Sequence, residues 1–119
     1  MLVAAGGATG SVIRYLIGRA AGAQFGDRFP FGTLFINITG SFLIGLLLVT
    51  FDRKALTNPN LQPLVITGLL GGYTTFSAFE WETFSLGRTS PQLAILYCAA
   101  SVMLGLLACA LGVMVGRRS

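Results

Sequence analysis

Long apolar runs separated by short polar turns constrain this chain more than any other feature. A helix needs about 20 largely apolar residues to cross the hydrocarbon core of a bilayer. Four stretches qualify, at about 2–24, 32–51, 62–87 and 92–116. The breaks between them contain glycine, proline, asparagine and half of the charged side chains, which is typical of turns. The pattern predicts a single transmembrane domain over 1–119, with four helices and both termini on one side.

Charged residues are too few to cover a water-exposed surface. Eight Lys/Arg and four Asp/Glu make up 10% of the chain, whereas soluble domains contain about a quarter. The mean hydropathy is +0.77, and there is no histidine, the commonest metal ligand and general base. The basic residues are scattered among segment ends and do not form one surface, so nucleic-acid binding is not expected. Composition therefore predicts an integral membrane protein.

The basic residues leave the orientation in the membrane nearly balanced. The side that holds the termini carries Arg53, Lys54, Arg117 and Arg118, and the opposite side carries Arg28 and Arg88, with Arg19 close to it. Orientation follows a clear excess of Lys and Arg on the cytoplasmic side, and here the excess is slight. Two interpretations stay open: termini in the cytoplasm, or copies inserted both ways.

Small residues recur at four-residue spacing along the apolar segments. Gly6 and Gly10 form one such pair, and Gly112 and Gly116 form another. Such pairs let helix backbones approach closely in lipid. With sixteen glycines in the chain, the spacing favours a tightly packed oligomer.

The third segment is interrupted at its centre. Leu61 to Leu70 is apolar but covers only about 15 Å as a helix, half of a bilayer core. The next residues, Gly71-Gly72-Tyr73-Thr74-Thr75, include glycines and β-branched residues, which are poor helix formers. Unpaired carbonyls at membrane depth are tolerated only inside protein or along a polar cavity, and hard cations prefer oxygen ligands. A cation site and a simple kink are both open interpretations.

Polar side chains recur on one face of the second and fourth segments. Thr33, Asn37 and Ser41 are four residues apart, and Tyr97 and Ser101 repeat this spacing. Hydrogen bonds between helices would explain either stripe. Two stripes beside a broken helix favour a polar path through the membrane.

Aromatic and charged residues complete the candidate set. Phe76 and Phe79 share a helix face, which suits core packing or contact of the positive ring edges with an anion. Arg14 lies midway along the first helix, where a charge indicates function, snorkelling to the interface or a pairing with carbonyls. Glu80 and Glu82 have no nucleophile or metal-ligand set beside them, so no enzyme is predicted.

These blocks resemble the Fluc (CrcB) family of fluoride channels over nearly the whole chain. The resemblance is carried by GGATG at 6–10 with Arg14-Tyr15, GTLFIN at 32–37 with GSF at 40–42, and GGYTTFSAF at 71–79 with Glu82. It implies an all-α integral membrane protein with four transmembrane helices per chain, the third broken at its centre. It also implies an antiparallel dual-topology homodimer in the cell inner (plasma) membrane.

The resemblance further implies a function and its residues. The dimer would be a fluoride-selective channel for passive export of cytoplasmic fluoride, with two pores. Backbone carbonyls of Gly71 and Thr74 from each copy would hold a central structural sodium ion. The fluoride pathway would include Asn37, Thr75, Phe76, Ser77, Phe79, Tyr97 and Ser101. The implied partners are therefore fluoride, sodium, a second copy and the bilayer.

Arg14 and Glu82 match charged positions of the family, with roles that the resemblance leaves open. Gly105 stands in the polar track where some members have a hydroxyl, and Glu80 adds a second carboxylate beside Glu82. These two departures bear on conduction and not on the class of protein.

Two other function classes remain as alternatives. A small multidrug-resistance-type proton-coupled antiporter also has four short helices per chain and can insert in both orientations. That mechanism needs a membrane-embedded carboxylate in the first helix, where this chain has Arg14 and no Asp or Glu. A structural or regulatory membrane subunit without transport is the second alternative.

Overall fold

The computed structural model describes residues 1–53 and 58–119, and all regular structure within them is helical. The helices are α1 Leu2–Phe25, α2 Phe31–Arg53, α3 Gln62–Leu70 with its continuation Gly71–Tyr73, α4 Ser77–Thr89, and α5 Pro91–Arg118. The predicted all-α fold is confirmed, and apart from the ends at the break in the third segment, the helix ends lie within two residues of the predicted segment ends. Lys54, one of the basic residues counted above, lies outside the described residues.

Among the described residues, two helices, α2 and α5, are long and apolar enough to cross a membrane. They have 23 and 28 residues. Helix α1 has 24 residues but includes Arg14 and Arg19, and α3 and α4 are each too short to span alone. The spans predicted for these other segments stay predictions.

The contacts between helix ends place both termini at one end of the molecule. Helix α2 packs along α5, and α1 packs along α3. The ends of α2 and α5 meet where Arg53 Nη1 donates to Gly116 O at 3.1 Å. The end of α2 also lies beside the start of α3, because Phe51 and Pro63 line one pocket. The start of α3 in turn packs on the start of α1.

Glycines bring the helix backbones into contact in both pairs. A Cβ at Gly6 or Gly10 of α1 would overlap a carbonyl oxygen of α3. A Cβ at Gly45 of α2 or Gly112 of α5 would likewise overlap a carbonyl oxygen of the facing helix. Close approach at small residues is the packing expected in lipid. These glycines contact helices of the same chain. The four-residue glycine spacing therefore does not by itself support the predicted oligomer.

The third segment leaves the helix at Thr74, whose φ of −81° and ψ of 158° are extended. Gly71–Tyr73 is still helical, so the break begins later than the predicted start at Gly71. It is delayed because Thr74 N–H still donates to Leu70 O at 3.0 Å. Upstream, Gln62–Leu70 is π-helical. π-Helical segments are rare and frequently occur at functional sites.

Candidate functional site

A cavity of about 430 Å³ lies beside the break, between α2, α3, α4 and α5. Its lining includes Asn37, Ser41, Gly71, Thr74, Thr75, Phe76, Phe79 and Ser101. The structure thus brings together both predicted cation ligands and most of the predicted pathway residues. Ser77 is instead exposed at the start of α4, and Tyr97 is buried behind Phe79.

Asn37 bridges α2 to the unwound segment. Its Nδ2 donates to Thr75 O and its Oδ1 accepts from Thr75 N–H, both at 2.9 Å. This pairing fixes which amide atom is nitrogen, since only one orientation satisfies both bonds. An amide nitrogen has two hydrogens, and the second has no partner within the described residues. Asn37 therefore holds the break and keeps one donor for another group.

The bridge also removes a helical hydrogen bond from Gly71. In a continuous α-helix, Thr75 N–H would donate to the carbonyl four residues earlier, which is that of Gly71. Because Asn37 takes this N–H, the Gly71 carbonyl has no hydrogen-bond donor in the part of the chain that the structure describes. Gly71 is exposed, and it lines the cavity together with Thr74. An unpaired carbonyl at a cavity whose lining includes hydroxyl and amide groups suits a hard cation.

Arg14 reaches the same turn from α1. Its Nε donates to Gly72 O at 3.1 Å, in place of the N–H of Phe76 that a continuous helix would supply. The structure thus shows the pairing with a backbone carbonyl that the sequence left open. Arg14 also lines a separate cavity of about 440 Å³ together with Thr33 and Thr75.

The two phenylalanines after the break differ in their surroundings. Their ring centroids lie 5.9 Å apart, with the ring planes at 50°. Phe79 is 8% exposed and packs on Tyr97, with 5.3 Å between ring centroids. Phe76 is 73% exposed. Phe79 belongs to the core of the single chain, whereas Phe76 presents its ring on the surface beside the cavity.

Three buried polar atoms have no hydrogen-bond partner among residues 1–53 and 58–119: Glu82 Oε1, Tyr97 OH and Ser101 Oγ. Thr33 lies beside both the Glu82 carboxylate and the Tyr97 phenol. Leaving such a group unpaired costs about 1–3 kcal/mol, so it indicates a water or ligand. Ser101 lines the cavity at the break, and Glu82 lines a second cavity of about 420 Å³ near the end of α4.

Thr39 and Tyr73 form a contact near the break for which the sequence predicts no role. The hydroxyl oxygens of Thr39 and Tyr73 lie 2.8 Å apart. Gly40, the next residue of α2, packs so closely on Thr74 that a Cβ would overlap its methyl group. Thr39 stands two residues from Asn37 and off the polar stripe, so helical spacing gives no signal for it.

Helices suited to a bilayer, and a break with an unpaired carbonyl beside a cavity that contains polar groups, define a helical membrane protein. A family model described as CrcB-like protein, Camphor Resistance (CrcB), matches residues 1–113. The chain belongs to this CrcB family, and the resemblance seen in its motifs is confirmed.

Several relatives are similar over most of their length. A Rhizobium meliloti protein is 50% identical over 109 residues, which cover 89% of this chain and 86% of that protein. A Solibacter usitatus protein is 40% identical over 119 residues, covering 99% and 98%. A Magnetococcus marinus protein is 47% identical over 116 residues, covering 97% and 94%. Each is named a fluoride-specific ion channel FluC, so the prediction that the chain is not an enzyme is confirmed.

Proposed function

We propose that this chain forms a fluoride-selective ion channel for passive export of cytoplasmic fluoride, as a multi-pass protein of the cell inner membrane. The names of its relatives support this function. The observation that carries it is the cavity beside the break, which combines an amide donor, hydroxyl groups and phenyl rings. The antiporter alternative has no comparable support, since α1 contains no carboxylate.

The chemistry of the cavity suits a small, strongly hydrated anion. A selective pore replaces the water around its ion with groups from the protein. Within the described residues, one amide hydrogen of Asn37 and the Oγ of Ser101 have no hydrogen-bond partner. Thr75 Oγ1 accepts from Ala78 N–H at 3.2 Å, which leaves its own hydrogen available. Ring edges of Phe76 and Phe79 would add weak contacts that allow the ion to leave.

The proposal includes a structural sodium ion held by the carbonyls of Gly71 and Thr74. When bound, the cation supplies positive charge that lowers the electrostatic cost of an anion in a low-dielectric region. Gly71 and Thr74 both line the open cavity, so one chain would contribute two carbonyls to the proposed site, whereas a hard cation takes several oxygen ligands. A second copy would double the set, which supports a site shared between two chains.

An antiparallel dual-topology homodimer with two pores completes the proposal. The near balance of Lys and Arg between the two ends suits insertion in both orientations. The exposed Phe76 ring beside the cavity leaves a face for the second copy to cover. A fusion tag whose activity reports sidedness should show both orientations in cells, and a single orientation would contradict this arrangement.

Reconstitution into liposomes tests the function directly. Liposomes that contain the purified protein are loaded with fluoride or chloride, and efflux is followed with ion-selective electrodes. Rapid fluoride efflux with negligible chloride efflux is expected. Proton-coupled movement of a cationic drug would favour the antiporter, and no transport of any of these would favour a non-transporting subunit.

A further inference from the structure

Helix α2 contacts three consecutive residues of the turn where the chain leaves the helix. Thr39 meets the phenol of Tyr73, with 2.8 Å between their oxygens. Gly40 packs against the side chain of Thr74. Asn37 bonds both backbone groups of the residue after Thr74. One helix thus fixes the position of the break on both sides of Thr74.

The direction of the hydrogen bond between Thr39 and Tyr73 follows from proton counting. Thr39 Oγ1 lies 2.8 Å from Phe35 O and 3.1 Å from Ile36 O. A helical threonine donates its single hydrogen to such a carbonyl, so Thr39 accepts and Tyr73 donates. Tyr73 is 8% exposed and packs among apolar side chains of α2 and α3. Its phenol therefore depends on Thr39 for a partner.

We propose that Tyr73 and Thr39 form a positioning pair that holds the carbonyl oxygens of Gly71 and Thr74 ready to bind a cation. The inference rests on the proposed sodium site. Tyr73 lies between the two ligand residues in the chain, so an anchored ring restrains the torsions that aim both carbonyls. A turn that is already restrained loses less conformational entropy when the cation binds, so the cation binds more tightly. Neither Tyr73 nor Thr39 lines the cavity, so their effect on the cation acts through the backbone.

Tyr73→Phe and Thr39→Val test the pair, because each removes one partner and keeps the side-chain shape. The purified dimer is titrated with sodium chloride, with N-methylglucamine chloride keeping ionic strength constant, and thermal stability is measured at each step. Each variant should raise the sodium concentration for half-maximal stabilisation about fivefold. The double variant should shift it no further, since both changes remove one interaction. Fluoride efflux at saturating sodium should stay within about twofold of wild type, because the cavity lining is unchanged.

Two control variants separate the pair from general effects. Thr39→Ser keeps the hydroxyl and should restore the wild-type sodium dependence. Thr50→Val makes the same chemical change on the same helix, at a hydroxyl that donates to Leu46 O at 2.7 Å. It should leave the sodium titration unchanged.

The outcomes distinguish failure of the pair from failure of the site. If sodium stabilises the wild type, and Tyr73→Phe and Thr39→Val need the same sodium concentration for half-maximal stabilisation, the pair is overturned and the sodium site is kept. If the thermal stability of the wild type does not change with sodium concentration, both the sodium site and the pair are overturned. The fluoride efflux assay tests the channel independently of this result. Where Thr39→Val yields no folded protein, Tyr73→Phe decides, because it removes only a hydroxyl.

Discussion

The backbone is held in place by opposite means at the contact between α1 and α3 and at the unwound turn 74–76. At the first, Gly6 and Gly10 bring the backbone of α1 into direct contact with backbone atoms of α3, so no flexible side chain can move aside for an added group. At the second, side chains of α1 and α2 bond to backbone groups that lack a helical partner: Arg14 to Gly72 O, and Asn37 to Thr75. The glycine contact tolerates no change, whereas the turn is held by bonds that can be removed singly. This difference makes the turn the adjustable part of the molecule.

The glycine contact should give the largest effect. In Gly10→Ala the new Cβ would overlap Leu69 O and lie 2.8 Å from Tyr73 N, both backbone atoms. We expect a loss of about 3 kcal/mol or more in the free energy of unfolding. Gly18→Ala is the matched control, because nothing lies within 4 Å of its added Cβ. It should be neutral or gain up to about 1 kcal/mol from helix propensity. Equal stability of the two variants in unfolding experiments would remove the contrast between rigid and adjustable regions.

Removing the Asn37 bridge should give the next largest effect. Asn37→Ala leaves the N–H and carbonyl of Thr75 without their side-chain partner, at a cost of about 2 kcal/mol. Fluoride efflux should fall at least about tenfold, because both the turn and an anion donor are affected. Asn58→Ala is the control, since Asn58 Oδ1 accepts from Asn60 N–H in an exposed turn. Wild-type efflux in Asn37→Ala would show that the break does not depend on the bridge.

Phe76 and Phe79 should separate conduction from stability. Phe79→Ile alters a buried ring and should cost about 1–2 kcal/mol. Phe76→Ile alters an exposed ring and should change stability by less than about 0.5 kcal/mol. Both should cut fluoride efflux strongly, with the wild-type elution position retained on size-exclusion chromatography. Undiminished efflux in Phe76→Ile would take this ring out of the pathway.

The sequence predicts the helices well because a spanning run is a local property of the chain. Apart from the ends at the break, the helix ends lie within two residues of the predicted segment ends. The exact start of the break was predicted too early, because it depends on distant partners. Asn37 stands 38 residues from Thr75, and Arg14 stands 58 residues from Gly72. Spacing along one segment contains no information about which N–H a distant side chain will take.

The candidate site was predicted as a set of residue types and not as a set of contacts. The polar stripe identified Asn37, but not its bonds to Thr75. The pair of Thr39 and Tyr73 gave no periodic signal and emerged only when α2 and α3 were packed together. The glycine spacing likewise showed close packing without showing that its partners are in the same chain.

Gly105→Ser, four residues after Ser101 on α5, should give the smallest effect. A Cβ at Gly105 would lie 3.5 Å from Ser41 Oγ, an ordinary contact. Ser41 donates to Asn37 O at 2.7 Å, so it can accept from the new hydroxyl. The variant should gain less than about 1 kcal/mol of stability and change fluoride efflux less than about threefold. Gly105→Ala, which adds carbon without oxygen, isolates the contribution of the hydroxyl. If fluoride efflux falls tenfold in Gly105→Ser but not in Gly105→Ala, the added hydroxyl interferes with passage of the ion along this face of α5.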